Sequence, residues 1–181
     1  FTQCLNSPQR AGLVHVFFAE REVTKSPETQ SAKPRPFQKV GVIGGGTMGA
    51  GIAVSLLDAG LSVTMIERDD AALALGQSRV AKVYDGAIAK GRLSEEGKAA
   101  ILARFNGSTS YDALADADIV IEAVFEDMGV KKAVFAELDR VCKPGAVLAT
   151  NTSYLDINEV ANSVSRPQDV VGLHFFSPAN I

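Results

Sequence analysis

The chain is short of cysteine, histidine and net charge, and each shortage removes a class of function. Cys4 and Cys142 stand far apart in 181 residues, with no ligand-like spacing. Neither a disulfide framework nor a metal site is expected, and both read as free thiols of a reducing compartment. A formal charge of −3 and an isoelectric point near 5.4 leave no basic footprint for nucleic acid. Phe1 to Arg10 is polar and lacks the apolar segment of a secretory signal, so secretion is not expected. Long apolar runs are scarce too. Val40 to Leu57 carries no charge and contains Gly45-x-x-x-Gly49, which a hydropathy window could take for a membrane span with a dimerisation face. Its six glycines and the Asp58 that follows it argue for a strand, turn and helix instead. What remains is 46% hydrophobic content, enough for one good core plus a tail.

That glycine-rich stretch, Lys39 to Asp69, organises the rest. Lys39 to Ile43 is a short β-branched run of the kind buried in a parallel sheet, and Gly44-Gly45-Gly46-Thr47-Met48-Gly49 supplies G-x-G-x-x-G where a strand turns into a helix. Gly44 is expected to permit the tight turn, Gly46 to let backbone approach a pyrophosphate, and Gly49 to let the helix pack on the strand. The helix should run to about Ala59 with Gly60 as its cap, and its N-terminus stabilises an anion over Gly46 to Met48. Leu61 to Ile66 reads as a second strand ending at Glu67. That places an acid about twenty residues beyond the first glycine, where a ribose 2′-OH is gripped.

Around this unit the chain alternates. Gln9 to Lys25 reads as an amphipathic helix with Leu13, Val14, Phe17 and Phe18 on one stripe, expected to dock on some surface, with His15 an ordinary helix residue. Ser26 to Pro36 reads as a proline-rich linker, which puts a domain boundary near residue 36. Downstream, helices are expected over Asp70 to Lys90 and from Ser94, as a pair over the sheet edge. A strand is expected over Asn106 to Tyr111, a helical turn over Asp112 to Asp116, and a buried strand over Ala117 to Val124. A helix over Gly129 to Cys142, a strand over Ala146 to Thr150, a short helix over Leu155 to Ser163 and a last strand over Val170 to Phe175 complete it. The fold class is therefore α/β, a doubly wound, mostly parallel Rossmann sheet with ligands at the carboxyl ends of its strands.

Those ends collect the candidate side chains: Phe125, Glu126 and Lys131 after one strand, Asn151-Thr152-Ser153 after the next, and His174 near the last. Singly, each has a plain structural reading. Glu126 could complement a helix N-terminus, Ser153 could cap a helix, and His174 could be a satisfied core residue. Their convergence on one sheet edge favours chemistry.

The segments GVIGGGTMGAGIA, VIEAVFED with Lys131 following, ATNTSYL and GLHFFSPA resemble, in order from about Gln38 to Ile181, the NAD-binding domain of L-3-hydroxyacyl-CoA dehydrogenases. HVFFAERE with its proline-rich continuation resembles the joint in multifunctional β-oxidation enzymes, where a crotonase-type hydratase module precedes the dehydrogenase. The resemblance implies NAD as cofactor and an acyl-CoA as substrate. It makes His174 the general base on the C3 hydroxyl, a task that suits an imidazole because it titrates near neutral pH, and Ser153 the hydrogen-bonding partner of the reacting oxygen. It places Gly44, Gly46, Thr47, Met48, Gly49, Glu67, Arg68, Val124, Phe125, Glu126, Lys131, Asn151, Ser153 and Ser177 around the cofactor, with Arg68 against the adenine. Glu67 stands in place of a commoner Asp, and its charge opposes the 2′-phosphate of NADP. Ser177 stands where many relatives have Asn.

The resemblance further implies an orienting glutamate and a helical domain beyond Ile181, so the chain alone is expected to bind cofactor with little turnover. It implies a peroxisomal protein in a eukaryote and a cytoplasmic one in a bacterium. Two other readings stay open: a dehydrogenase for a different 3-hydroxy acid, and a non-catalytic nucleotide-binding module.

Overall fold

A computed structural model describes residues 1–25 and 32–180. The expected linker over residues 26–36 lies largely outside the described residues. The chain divides into two compact units, Phe1–Pro36 and Phe37–Ile181. The first holds a short helix α1 (Thr2–Leu5), which periodicity did not anticipate, and α2 (Pro8–Glu22), followed by a 3-10 turn, Val23–Lys25. Pro8 at the first helical position and the Ser7 side chain, which accepts from the Arg10 N–H, start α2. No residue of α2 is buried, and Leu13, Phe17 and Phe18 are exposed.

The second unit is built on a sheet whose strands run β1 (Lys39–Ile43), β2 (Ser62–Ile66), β3 (Phe105–Ser108), β4 (Ile119–Glu122), β5 (Val147–Thr150) and β6 (Val170–Gly172). Their spatial order is β3-β2-β1-β4-β5-β6, and every pairing is parallel. The chain therefore reverses direction across the sheet between β1 and β4, which opens the crevice where such folds hold ligands. Strand interiors are almost wholly apolar because helices cover both faces. On one face Val40, Val42, Val63 and Met65 pack with α3 (Thr47–Asp58) and with Val80 and Tyr84 of α4 (Asp70–Ala89). On the other, Ile43, Ile66, Val120 and Leu148 pack with Phe135 and Leu138 of α6 (Met128–Val141) and with Val160 of α7 (Ile157–Ala161).

Helix α4 covers the β3 edge through Leu73, which lies under Gly107. Its far half lies against α3, where the buried Tyr84 hydroxyl donates to Asp58 at 3.0 Å. Helix α5 (Glu95–Leu102) starts at Ser94, whose hydroxyl accepts from the Gly97 N–H.

Three strand expectations are corrected by length. The strand expected over Asn106 to Tyr111 is β3, Phe105–Ser108, and Tyr111 opens a 3-10 turn, Tyr111–Leu114. The run VVGLHFF looks like strand throughout, but β6 stops at Gly172, because its only neighbour, β5, ends at Thr150 and offers no ladder beyond it. His174 therefore sits in the chain that leaves the sheet. Likewise β4 covers only Ile119–Glu122 of the expected Ala117 to Val124, since Ala123 begins the turn toward α6. No helix among the described residues is long and apolar enough to cross a membrane.

Among the glycines the tightest is Gly49, where an added Cβ would lie 1.8 Å from the Gly44 carbonyl oxygen. Gly49→Ala should lower unfolding stability by about 1–3 kcal/mol, the scale of overpacking, as measured by denaturant titration; an unchanged midpoint would mean that α3 is free to retreat from β1.

Candidate active site

The site begins with the turn out of β1. Gly44 has φ +96°, a left-handed conformation that side-chain-bearing residues rarely adopt. Gly45 then donates its N–H to Glu67 at 2.7 Å, and its carbonyl accepts from Arg79 of α4 at 2.8 Å. Gly46 is the N-cap of α3, and no side chain caps it. An added Cβ there would meet nothing within 4 Å. The first N–H groups of a twelve-residue helix are thus left unpartnered by side chains and faced by open space, which is the environment a pyrophosphate requires.

Beside this turn lies a cavity of about 570 Å³ lined by Gly44, Gly46, Glu67, Arg68, Val124 and Phe125, among others. Glu67 Oε1 is held by Gly45 and Oε2 by the Arg68 N–H at 3.1 Å, so the carboxylate is fixed with lone pairs left over for a ribose diol. The Arg68 side chain is exposed and pairs with Asp69, and Phe125 is exposed at the rim. The half-buried Tyr111 and the exposed Thr109 also line this cavity. They were missed because the segment after β3 carries no glycine or charge signal, although an aromatic residue just past a strand's carboxyl end was a readable hint. Burial raises the Tyr111 hydroxyl pKa, with the charges of Glu137, Glu122 and Glu67 adding to it, so the ring faces the cavity as a neutral phenol.

A second cavity of about 330 Å³ adjoins the first through Ala123 and Val124. It brings together Met48, Glu126, Lys131, Asn151, Ser153, His174 and Ser177, residues from the ends of four segments far apart in sequence. Asn151 Oδ1 accepts the Phe175 N–H at 2.7 Å and so ties the His174 segment to the end of β5. The imidazole lies against Phe176, with ring centroids 4.7 Å apart and planes at 40°. Among the described residues His174 makes no hydrogen bond. Thr47 and Gly49 stand in the first turn of α3 and line neither cavity.

Glu126 is the hub of the second cavity. Its Oε1 accepts from the Thr152 hydroxyl at 2.6 Å, the Ser153 N–H at 2.8 Å and the Ser153 hydroxyl at 3.3 Å, while Oε2 pairs with Lys131 at 3.1 Å. Burial alone would raise its pKa, but the Thr152, Ser153 and Lys131 contacts outweigh that and hold it down at about 2. Lys131 is among the residues lining this cavity, though almost wholly buried. It is 1% exposed, and its three N–H bonds go to Glu126 and to both oxygens of the buried Glu122, so it supports the wall from behind.

A glycine turn, a fixed acid beside it and two joined cavities at the strand reversal define a dinucleotide-binding Rossmann domain. The family model for the 3-hydroxyacyl-CoA dehydrogenase NAD binding domain matches residues 39–181, and the chain belongs to that family, with NAD as its cofactor. It is 43% identical over 187 residues to the peroxisomal bifunctional enzyme of Cavia porcellus, covering 100% of this chain and 26% of that protein. It is 40% identical over 183 residues to the peroxisomal fatty acid beta-oxidation multifunctional protein of Oryza sativa, covering 100% of this chain and 25% of that protein. Among solved structures, 3-hydroxybutyryl-CoA dehydrogenase from Escherichia coli K12 superposes with a TM-score of 0.78 at 40% identity, over 81% of this chain and 31% of that one. The dehydrogenase part of multifunctional enzyme 1 from C. elegans gives 0.74 at 32%, over 83% and 34%. The chain thus spans about a quarter of the length of the curated relatives it matches.

Glu67 should make the domain prefer NADH over NADPH, and Glu67→Ala should weaken NADH by about 1–3 kcal/mol, the scale of a charge-assisted hydrogen bond. Calorimetry checks this directly; equal affinity of the unaltered chain for both cofactors would contradict the role given to Glu67.

Proposed function

We propose that this domain serves the NAD-dependent oxidation of L-3-hydroxyacyl-CoA to 3-oxoacyl-CoA in fatty-acid β-oxidation, within a protein that also carries a crotonase-type module and a helical acyl-binding domain. The observation that carries this reading is that Ser153 and His174 line one cavity opening off the cofactor cavity. NAD, when bound, supplies the hydride acceptor. His174 takes the proton of the C3 hydroxyl on a ring nitrogen, and Ser153, whose hydroxyl donates to Glu126 only at 3.3 Å, turns that proton to the reacting oxygen and holds it by donating to it. Asn151 fixes the backbone that carries His174, and Met48 and Ser177 close the cavity walls.

A free 3-hydroxy acid is the second reading. A diketoreductase and a pyridine carboxylic acid dehydrogenase share the fold at TM-scores of 0.70 and 0.69, both at 27% identity. Relatives at 40% or more include a fatty acid beta-oxidation multifunctional protein and a 3-hydroxybutyryl-CoA dehydrogenase, which favours the thioester. In a eukaryotic host the protein would work in the peroxisome, as the guinea-pig and rice relatives do by name, and in a bacterium in the cytoplasm.

In the complete protein, His174→Ala should lower kcat for L-3-hydroxyacyl-CoA by about 10²–10⁴-fold, the range for a general base, with NADH affinity nearly unchanged. Stopped-flow absorbance of NADH formation and calorimetry read the two quantities. Retained kcat would remove His174 as the base, and faster turnover of free 3-hydroxy acids than of their thioesters would favour the second reading.

A further inference from the structure

The most thoroughly buried charges in the chain lie behind the second cavity, and nothing assigned so far uses Glu122. This residue ends β4 and is 0% exposed. Its Oε1 accepts from Lys131 at 2.8 Å and from the Val124 N–H at 2.8 Å; its Oε2 accepts from Lys131 at 2.9 Å and from the Thr150 hydroxyl at 2.7 Å. Thr150 Oγ1 accepts in turn from the Thr152 N–H at 3.3 Å. The lone pairs of Glu122 and the protons of Lys131 are spent inside the protein. Such a pair stabilises a fold no better than apolar side chains of the same volume, so its presence calls for another reason. Lys131 hands its third N–H to Glu126, and Glu126 holds both the backbone N–H and the hydroxyl of Ser153.

We propose that Glu122 is a positioning residue: by clamping Lys131 from behind, it fixes the carboxylate of Glu126 and, through it, Ser153 at the nicotinamide end of the site. The inference rests on the assignment of the second cavity to that end. Without Glu122, Lys131 has one carboxylate to satisfy three protons and is drawn toward Glu126, turning that carboxylate away from the Ser153 loop. The adenosine end is built from Glu67, Arg68 and the β1 turn, and among the described residues its link to this network is Val124, which lines both cavities and gives its N–H to Glu122.

NADH and ADP-ribose separate the two ends, because ADP-ribose lacks the nicotinamide. Calorimetry of the 181-residue chain with both ligands should show that Glu122→Gln weakens NADH about tenfold, the scale of one lost charge-assisted hydrogen bond, while ADP-ribose stays within about twofold. Equal loss for both ligands would make Glu122 a general structural residue and overturn the proposal. The double variant Glu122→Gln with Lys131→Met removes both buried charges, which keeps the chain foldable. It also restores the net charge of one carboxylate on Glu126. Loss of NADH selectivity in the double variant supports holding; full recovery would show that charge balance, not position, is what Glu122 supplies, and would overturn the proposal. Glu126→Gln is the control for the assignment beneath it. If the unaltered chain binds NADH no tighter than ADP-ribose and Glu126→Gln changes neither, the nicotinamide end lies elsewhere and the reading of the cavity fails. If the unaltered chain prefers NADH and only Glu122→Gln is silent, the positioning role alone fails.

Discussion

The contact between the backbone of Gly49 and the carbonyl of Gly44 sets the geometry on which the site depends. With only 1.8 Å between that oxygen and where a Cβ would stand, α3 leaves β1 closer than any side chain would permit. The close departure aims the uncapped start of α3 at the crevice and brings Gly45 within 2.7 Å of Glu67. Arg79 then secures the other side of the same peptide by bonding the Gly45 carbonyl. One tight turn therefore fixes the uncapped start of α3, the carboxylate of Glu67 and the floor between them.

The second cavity is held by a different kind of force. It is stitched from the ends of β4, β5 and β6 by polar side chains: Asn151 to the Phe175 backbone, Thr150 to Glu122, and Glu126 to the Ser153 loop. Glu126 stays ionised because Thr152, Ser153 and Lys131 all donate to it. The ionised acid grips the Ser153 loop chiefly by its N–H at 2.8 Å and reaches the hydroxyl only at 3.3 Å, which leaves that hydroxyl free to turn into the cavity. The apolar sheet fixes where the strands end, and the polar stitching fixes how the loops beyond them face one another.

Much of this was legible as local pattern. Gly44, Gly46, Gly49 and Glu67 could be placed because strand, turn, helix and acid follow one another within a short stretch, and each glycine answers a backbone need visible in spacing alone. The convergence of Ser153, Glu126 and His174 was legible because parallel strands put their carboxyl ends together. What escaped was whatever depends on a partner distant in sequence. Glu122 was read as one more residue of a buried strand, although an acid between Ile121 and Ala123 demands a buried cation, and Lys131 stands nine residues on. The last strand was read too long because apolar content says nothing about where its neighbour β5 ends. Tyr111 and Thr109 were passed over because a cavity lining leaves no periodic trace.

The central claim is that one bound dinucleotide spans both cavities, with its adenosine end against Glu67 and its nicotinamide end against Ser153 and His174. Backbone amide NMR of the isotope-labelled chain tests it most directly. ADP-ribose should perturb Gly45 to Met48, Glu67 and Val124, and NADH should perturb these and, in addition, Asn151 to Ser153 and His174 to Ser177. If NADH and ADP-ribose perturb the same amides, or if the shifts fall on the opposite end of the sheet around Lys39 and Asp116, the two cavities are not one cofactor site.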